Sequence, residues 1–260
     1  MGYSTIQLAF DGGVATITLH RPEKRNAISF ELIDDLLRAL DEVANSNAIV
    51  LILTGAGTAF CSGMDLDNLK ALLGRTPEQN LKDSETMVRL FRSLYEFPKA
   101  TIAAVNGAAI AGGTGLALLC DFTLAVPEAK FGYTEVRIGF IPALVSLFVR
   151  RQLGDKAARD LLLTGRIIEP AEAKTMGVVT EVVPAERLMA RAHEIADTLL
   201  AASPTSLVRT KKLLRDSSAA EVDSDLQRAV AENASIRTTA NFREGLAAFL
   251  EKRKPVWRHD

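Results

Sequence analysis

Three stretches of this 260-residue chain hold residues whose types and spacing could do chemistry. The first is Ala104-Val-Asn-Gly-Ala-Ala-Ile-Ala-Gly-Gly-Thr-Gly-Leu-Ala-Leu-Leu-Cys-Asp121, in which an apolar strand runs through small residues into an apolar helix opened by Gly112 and Gly113. The first N–H groups of a helix have no partner within it, and glycine lets another group approach that backbone closely. The stretch therefore reads as a donor site for an anion, or for an oxygen that gains negative charge in a reaction. A tight strand–helix packing turn is the alternative. The second stretch is Phe131-Gly-Tyr-Thr-Glu-Val-Arg-Ile-Gly-Phe-Ile-Pro142, where Glu135 has mostly apolar neighbours. A carboxyl group in such surroundings has a raised pKa, which suits proton transfer near neutral pH. The competing reading pairs Glu135 with Arg137 or another arginine. The third stretch is Ala59-Phe-Cys-Ser-Gly-Met-Asp-Leu66. None of the three histidines lies in a motif that would place it beside Cys61, so that thiol is expected to pack rather than react.

Several familiar chemistries lack their residues. Gly55-Ala-Gly57 starts a dinucleotide fingerprint, but Phe60 stands where the third glycine belongs. No P-loop lysine follows either glycine loop, and no G-x-S-x-G elbow occurs. His20, His193 and His259 have no metal-ligand spacing. Asp121, between an apolar helix and a strand, is expected to brace backbone.

The elements that must position these residues follow from periodicity. Residues 6–10 and 14–19 alternate around Asp11-Gly12-Gly13 and predict a β-hairpin. Ser29 predicts the cap of a helix over 30–44 that buries Leu32, Ile33, Leu36, Leu37 and Leu40. Apolar runs at 48–54, 101–105 and 122–126, with a shorter one at 178–183, predict buried strands. Strand, Gly-rich loop and helix thus occur twice, over 49–69 and 101–120, which predicts crossover units and mostly parallel strands. Residues 66–80 are polar, broken near Gly74, and read as a mobile piece: a lid or a plain surface loop. A long helix follows from Pro77 to Tyr95. Helices are predicted over 184–202, 206–215, 219–236 and 241–254. Two domains are expected: an α/β core carrying the site over 1–200 and a helical region over 201–260.

Composition narrows the class. Hydrophobic residues make up 48% and charged residues 24%, enough apolar matter for a substantial core. The net charge of −1 offers no basic field for nucleic acid or an anionic membrane. No apolar run reaches the ~18 residues of a membrane span. The start Met1-Gly-Tyr-Ser-Thr lacks the regions of a signal peptide, and the two cysteines, Cys61 and Cys120, fit free thiols. A cytoplasmic enzyme is the expectation.

Taken together, the motifs resemble those of the crotonase superfamily, the enoyl-CoA hydratase/isomerase family. Arg25-Asn-Ala27, Phe60-Cys-Ser-Gly-Met-Asp65, Asn106-Gly through Gly112-Gly113 to Cys120-Asp121, Phe131 to Pro142, and the tail Glu244-Gly-Leu-Ala-Ala-Phe-Leu-Glu-Lys-Arg253 follow one another in the family's order. The resemblance implies a spiral of ββα units with a C-terminal helical region used in trimerisation. It implies homotrimers or dimers of trimers, an acyl-CoA thioester substrate, and no metal or redox cofactor, coenzyme A being part of the substrate. It assigns the two backbone donors of an oxyanion hole to Met64 and Gly112. It also assigns coenzyme A contacts to Arg25, Ala27, Ser62 and Leu66, and to Phe249 and Lys252 in the tail.

One departure matters. Hydratases of the family carry two catalytic glutamates; the second matches Glu135, and the first falls on Gly115, which has no side chain. Losing one acid–base group implies a penalty of roughly 10²–10⁴-fold unless something compensates. The Gly115 variant, with Thr134 to Ala143, is similar to bacterial hydratases acting on methylglutaconyl-CoA-like thioesters. It also matches Δ3,Δ2-enoyl-CoA isomerases, which need a single base. A hydratase (a hydro-lyase) is the first expectation, an isomerase with Glu135 as sole base the second, and a non-catalytic CoA-binding paralogue the third.

Overall fold

The computed structural model describes residues 2–217 and 219–258. His259, like Met1, Ser218 and Asp260, lies outside the described residues. The chain opens with strands β1 (Ile6–Asp11) and β2 (Val14–Leu19), paired antiparallel around Gly12 and Gly13, both at positive φ. Helix α1 (Phe30–Asn45) is capped by the Ser29 hydroxyl, which accepts a hydrogen bond from Leu32 N–H. There follow β3 (Val50–Gly55), β4 (Ala59–Cys61), α2 (Leu66–Ala71), α3 (Pro77–Tyr95), β5 (Ala100–Val105), β6 (Ala108–Ile110), α4 (Gly112–Leu118), β7 (Phe122–Ala125) and β8 (Phe131–Gly132). The rest is mainly helical: α5 (Ala143–Leu153), α6 (Asp155–Thr164), β9 (Ile167–Ile168), α7 (Pro170–Met176), β10 (Glu181–Val182), α8 (Leu188–Leu200), α9 (Pro204–Asp216), α10 (Ala219–Ser235) and α11 (Ala240–Leu250).

The strands form two sheets, ordered β1-β2-β3-β5-β7-β10 and β4-β6-β8-β9. Beyond the first hairpin the larger sheet is parallel. β3, β5 and β7 are buried along most of their length, as near-continuous apolar strands covered on both faces must be. Each of the three continues into a short strand of the second sheet (β4, β6 and β8) and then into helix. The repeat is therefore ββα, a spiral in which every turn adds one strand to each sheet. This is why glycine loops recur: each turn must leave one sheet and enter the other within a few residues.

Asp121 braces backbone, as its position suggests. Its Oδ2 accepts from Thr101 N–H (2.8 Å), Thr101 Oγ1 (2.9 Å) and Lys211 Nζ (2.6 Å), tying α9 to the start of β5. Segment 66–80 is not a plain surface loop. Leu69 and Leu72 are buried in a small second core with Phe140, Phe242 and Leu246, so α11 holds this segment down. α10 buries Val222, Leu226 and Val230 in the main core. The last helix ends earlier than its periodicity suggests, at Leu250 rather than 254. Lys252 turns into the left-handed region at φ +55°, and Arg253 folds back onto Glu244.

Candidate active site

Two loops meet at the rim of the second sheet. The first, residues 62–65, runs parallel to residues 25–28. Ser62 N–H donates to Arg25 O (3.1 Å), Ile28 N–H to Gly63 O (2.7 Å), and Asp65 N–H to Ile28 O (2.9 Å). In this parallel bridge Ile28 uses the residues on either side of Met64, so the N–H of Met64 itself points away from Ile28. The Arg25-Asn-Ala27 motif gains its meaning here. Arg25 and Asn26 are both in the left-handed region, and the buried Asn26 side chain accepts from Arg21 N–H and donates to the carbonyls of Ala56 and Ala59. Arg21 also reaches Asp65 (2.9 Å), whose other oxygen caps α2 through Asp67 N–H. These contacts fix the loop's course without using the Met64 donor.

The second loop is residues 110–113. Ala111 sits at φ +53°, ψ −120°, a conformation that costs a non-glycine residue about 1–3 kcal/mol and that clusters at functional sites. It turns the chain so that Gly112 begins α4, whose first N–H has no intrahelical acceptor. α4 has only seven residues, so the individual N–H matters here more than any summed helix dipole. The two loops touch through glycine. A Cβ on Gly113 would lie 2.1 Å from Cys61 O, and one on Gly63 would lie 3.2 Å from Ile110 O. Only bare backbone permits this approach, which brings Met64 and Gly112 to one cavity.

Glu135 enters the same cavity from the 3₁₀ turn Glu135–Ile138 that follows β8. Its Oε2 is buried and has no hydrogen-bond partner, and no ion pair with Arg137 forms among the described residues. Burial pushes its pKa up to about 7. The buried hydroxyl of Tyr133 is likewise unpartnered, and burial, reinforced by the Glu135 charge, raises its pKa well above the usual phenol value.

The cavity has a volume of about 390 Å³ and gathers most of the residues singled out from sequence. Arg25, Ala27, Ser62, Met64, Leu66, Gly112, Glu135 and Phe249 all line it. Leu66 and Phe249, each 50% exposed, mark its mouth. Lys252 does not line it, because the turn after α11 carries the chain away. Gly115 lies behind the wall rather than on it. A Cβ there would meet Val145 Cγ1 at 2.8 Å and Phe91 Cε1 at 3.4 Å, so hydrocarbon already fills that space. Met87, Phe91, Leu144 and Val145 form an apolar wall. Asn233 and Arg237 also line the cavity, both buried; neither belongs to any motif in the sequence. Cys61 and Cys120 are buried free thiols, and burial pushes both up to about 12, in keeping with packing roles.

Comparison with known proteins places the chain in a family. The family model for enoyl-CoA hydratase/isomerase matches residues 9–260. The chain belongs to the enoyl-CoA hydratase/isomerase family. A Thermus thermophilus protein whose name places it among the enoyl-CoA hydratases is 44% identical over 245 residues, covering 94% of this chain and 97% of that one. Enoyl-CoA hydratase EchA19 of Mycobacterium tuberculosis is 35% identical over 259 residues, covering 95% and 94%. The crystal structure of an enoyl-CoA hydratase/isomerase from Pseudoalteromonas atlantica superposes with a TM-score of 0.88 at 30% identity, covering 98% of this chain and all of that one. The two-sheet spiral is thus the crotonase-like fold expected from the motifs. Enoyl-CoA hydratase/isomerase family membership spans water addition and double-bond migration alike, so the choice between them turns on the groups in the cavity. Among the described residues no helix is long and apolar enough to cross a membrane.

Proposed function

We propose that this chain is an enoyl-CoA hydratase, adding water across the C2–C3 double bond of a 2-enoyl-CoA thioester. The N–H groups of Met64 and Gly112 hold the thioester oxygen. Such donors are worth roughly 3–4 kcal/mol each when aimed at an oxygen that becomes anionic. With a pKa near 7, Glu135 is available as carboxylate at neutral pH. It takes a proton from water as the water oxygen bonds to C3. The C2–C3 π electrons move towards the thioester, and the resulting enolate oxygen rests on the two donors. Glu135 then returns the same proton to C2, leaving a 3-hydroxyacyl thioester and the carboxylate as it began. One group performs both transfers, and no metal or redox cofactor is required. Arg25, Ala27, Ser62 and Leu66 would hold coenzyme A at the mouth beside Phe249. Lys252 would reach it only across a subunit boundary, in keeping with a homotrimer or dimer of trimers of a cytoplasmic enzyme.

The observation that carries this reading is the buried, unpartnered Oε2 of Glu135 in the same cavity as Met64 and Gly112. One observation favours a second reading: hydrocarbon stands where a second carboxylate would. A Δ3,Δ2-isomerase needs a single base, and Glu135 would remove a proton from C2 and return it at C4. Liquid chromatography with mass detection of 2-enoyl- and 3-enoyl-CoA esters incubated with the protein, read together with the ultraviolet absorbance of the conjugated 2-enoyl thioester and with Glu135→Gln alongside, separates the two. Water addition to a 2-enoyl ester that vanishes in the variant is the expected result. Isomerisation of a 3-enoyl ester without added water selects the isomerase, and no turnover of any ester overturns both.

A further inference from the structure

Arg237 sits in the turn between α10 and α11 and is 3% exposed, yet it lines the cavity together with Asn233. Its Nη2 donates to Asn233 Oδ1 at 2.7 Å, and Asn233 Oδ1 accepts a second bond from Ser84 Oγ at 2.9 Å. The remaining hydrogen bonds are long: Nη1 lies 3.4 Å from both Asn80 O and Asn80 Oδ1, and 3.5 Å from Asp83 Oδ2. Nε is buried and has no hydrogen-bond partner among the described residues. Asp83 is the close ion partner of Arg75, so one carboxylate answers two guanidinium groups and the cluster carries an excess positive charge. Burial above all, with Arg75 adding to it, pushes the pKa of Arg237 down to about 10 against the pull of Asp83. A buried charge with an unmade hydrogen bond is costly to maintain, and a complementary anion entering the cavity would remove both costs.

The place of this charge along the cavity is informative. Phe91 stands beside Gly112 and Gly115, and Ser84 lies two turns earlier on α3. At 1.5 Å per residue this sets the Arg237 cluster about 10 Å along the helix from the Gly112 donor, with Met87 between. The cavity thus runs from a pair of backbone donors, past an apolar wall, to a fixed cation. We propose that the acyl group accepted here ends in a carboxylate, which pairs with Arg237 and takes its open Nε–H, while Asn233 holds the guanidinium in place. This rests on the thioester reading above and narrows it to acyl-CoA substrates with a second, remote acid group.

Titration calorimetry on the full chain tests this without turnover. Succinyl-, glutaryl- and adipyl-CoA are compared with butyryl-, pentanoyl- and hexanoyl-CoA, and glutaryl-CoA with its neutral methyl ester. At least one acid is expected to bind tenfold or more tightly than its uncharged counterpart of equal chain length, with esterification removing the advantage. Arg237→Met is expected to bind each acid and its counterpart alike; Asp83 keeps Arg75 as its partner in that variant. The esterified ligand tests the same point in the unaltered protein. If acids and counterparts bind equally, or the preference survives Arg237→Met, this inference falls and the thioester reading stands. If none of the thioesters binds, both fall.

Discussion

The cavity wall is built in opposite ways at Glu135 and at Gly115. At Glu135 the spiral gives up stability: a carboxyl group is buried, one oxygen is left without a partner among the described residues, and its pKa is pushed up to about 7. At Gly115 it does the reverse. The side chain is absent, and Val145 and Phe91 close over the backbone to make ordinary core. Both positions lie in the helical turns that come after strands of the smaller sheet, Gly115 after β6 and Glu135 after β8. What differs is which neighbours were allowed to fill the space. On the proposed mechanism the two positions are not equivalent: position 115 is given over to packing, while position 135 holds the carboxyl group.

The largest effect expected from breaking this asymmetry is on rate. Glu135→Gln should lower kcat by about 10²–10⁴-fold with little change in KM, since it removes the proton carrier and leaves the cavity's shape. Steady-state kinetics on the best ester checks this, and a loss below tenfold would mean another group carries the proton. The next effect is on stability. The folded pKa of Glu135 is about 7 against 4.5 for the free side chain, so the folded state holds this proton longer than the unfolded one. Its contribution is therefore most favourable below pH 4.5 and declines as pH rises to about 7. Glu135→Gln escapes that decline. Urea unfolding should show the variant gaining on the wild type from pH 4.5 upward, by as much as about 3 kcal/mol at pH 8. Equal stabilities at both ends would place the carboxylate in water. The smallest expected effect sharpens the other side. Gly115→Glu should lower stability by about 1–3 kcal/mol through overpacking against Val145 and Phe91, with no gain in rate. Adding Val145→Ala should restore part of the loss in the same denaturation assay. A faster enzyme from Gly115→Glu alone would show that this wall can open.

Much of the scaffold was legible in the sequence for simple reasons. The hairpin, α1, β3, β5 and β7 are long enough for alternation or an apolar run to declare itself. β4, β6, β8, β9 and β10 are two or three residues each, too short for any period, and their pairing depends on the spiral around them. The segment 66–80 read as polar because its two anchors, Leu69 and Leu72, are few and meet their partners only through Phe242 and Leu246, some 170 residues later. At the site, the glycines and Glu135 stood out because their chemistry shows in residue type. Arg237 did not. A lone arginine near the end of a polar helix is ordinarily solvated, and only the packing of α10 on α3 reveals that this one is buried.

The pairing of Met64 with Ile28 has a consequence for how this protein tolerates change. The donor at position 64 belongs to the peptide backbone, and its direction is set by neighbours that bond to Ile28 rather than by the methionine side chain. The methionine side chain packs against both apolar cores, but the direction of the N–H does not depend on it. The burden of inheritance shifts to Gly63 and Gly113, whose role is to have nothing beyond Cα. The approach of the two loops is brittle at the two residues that supply only room.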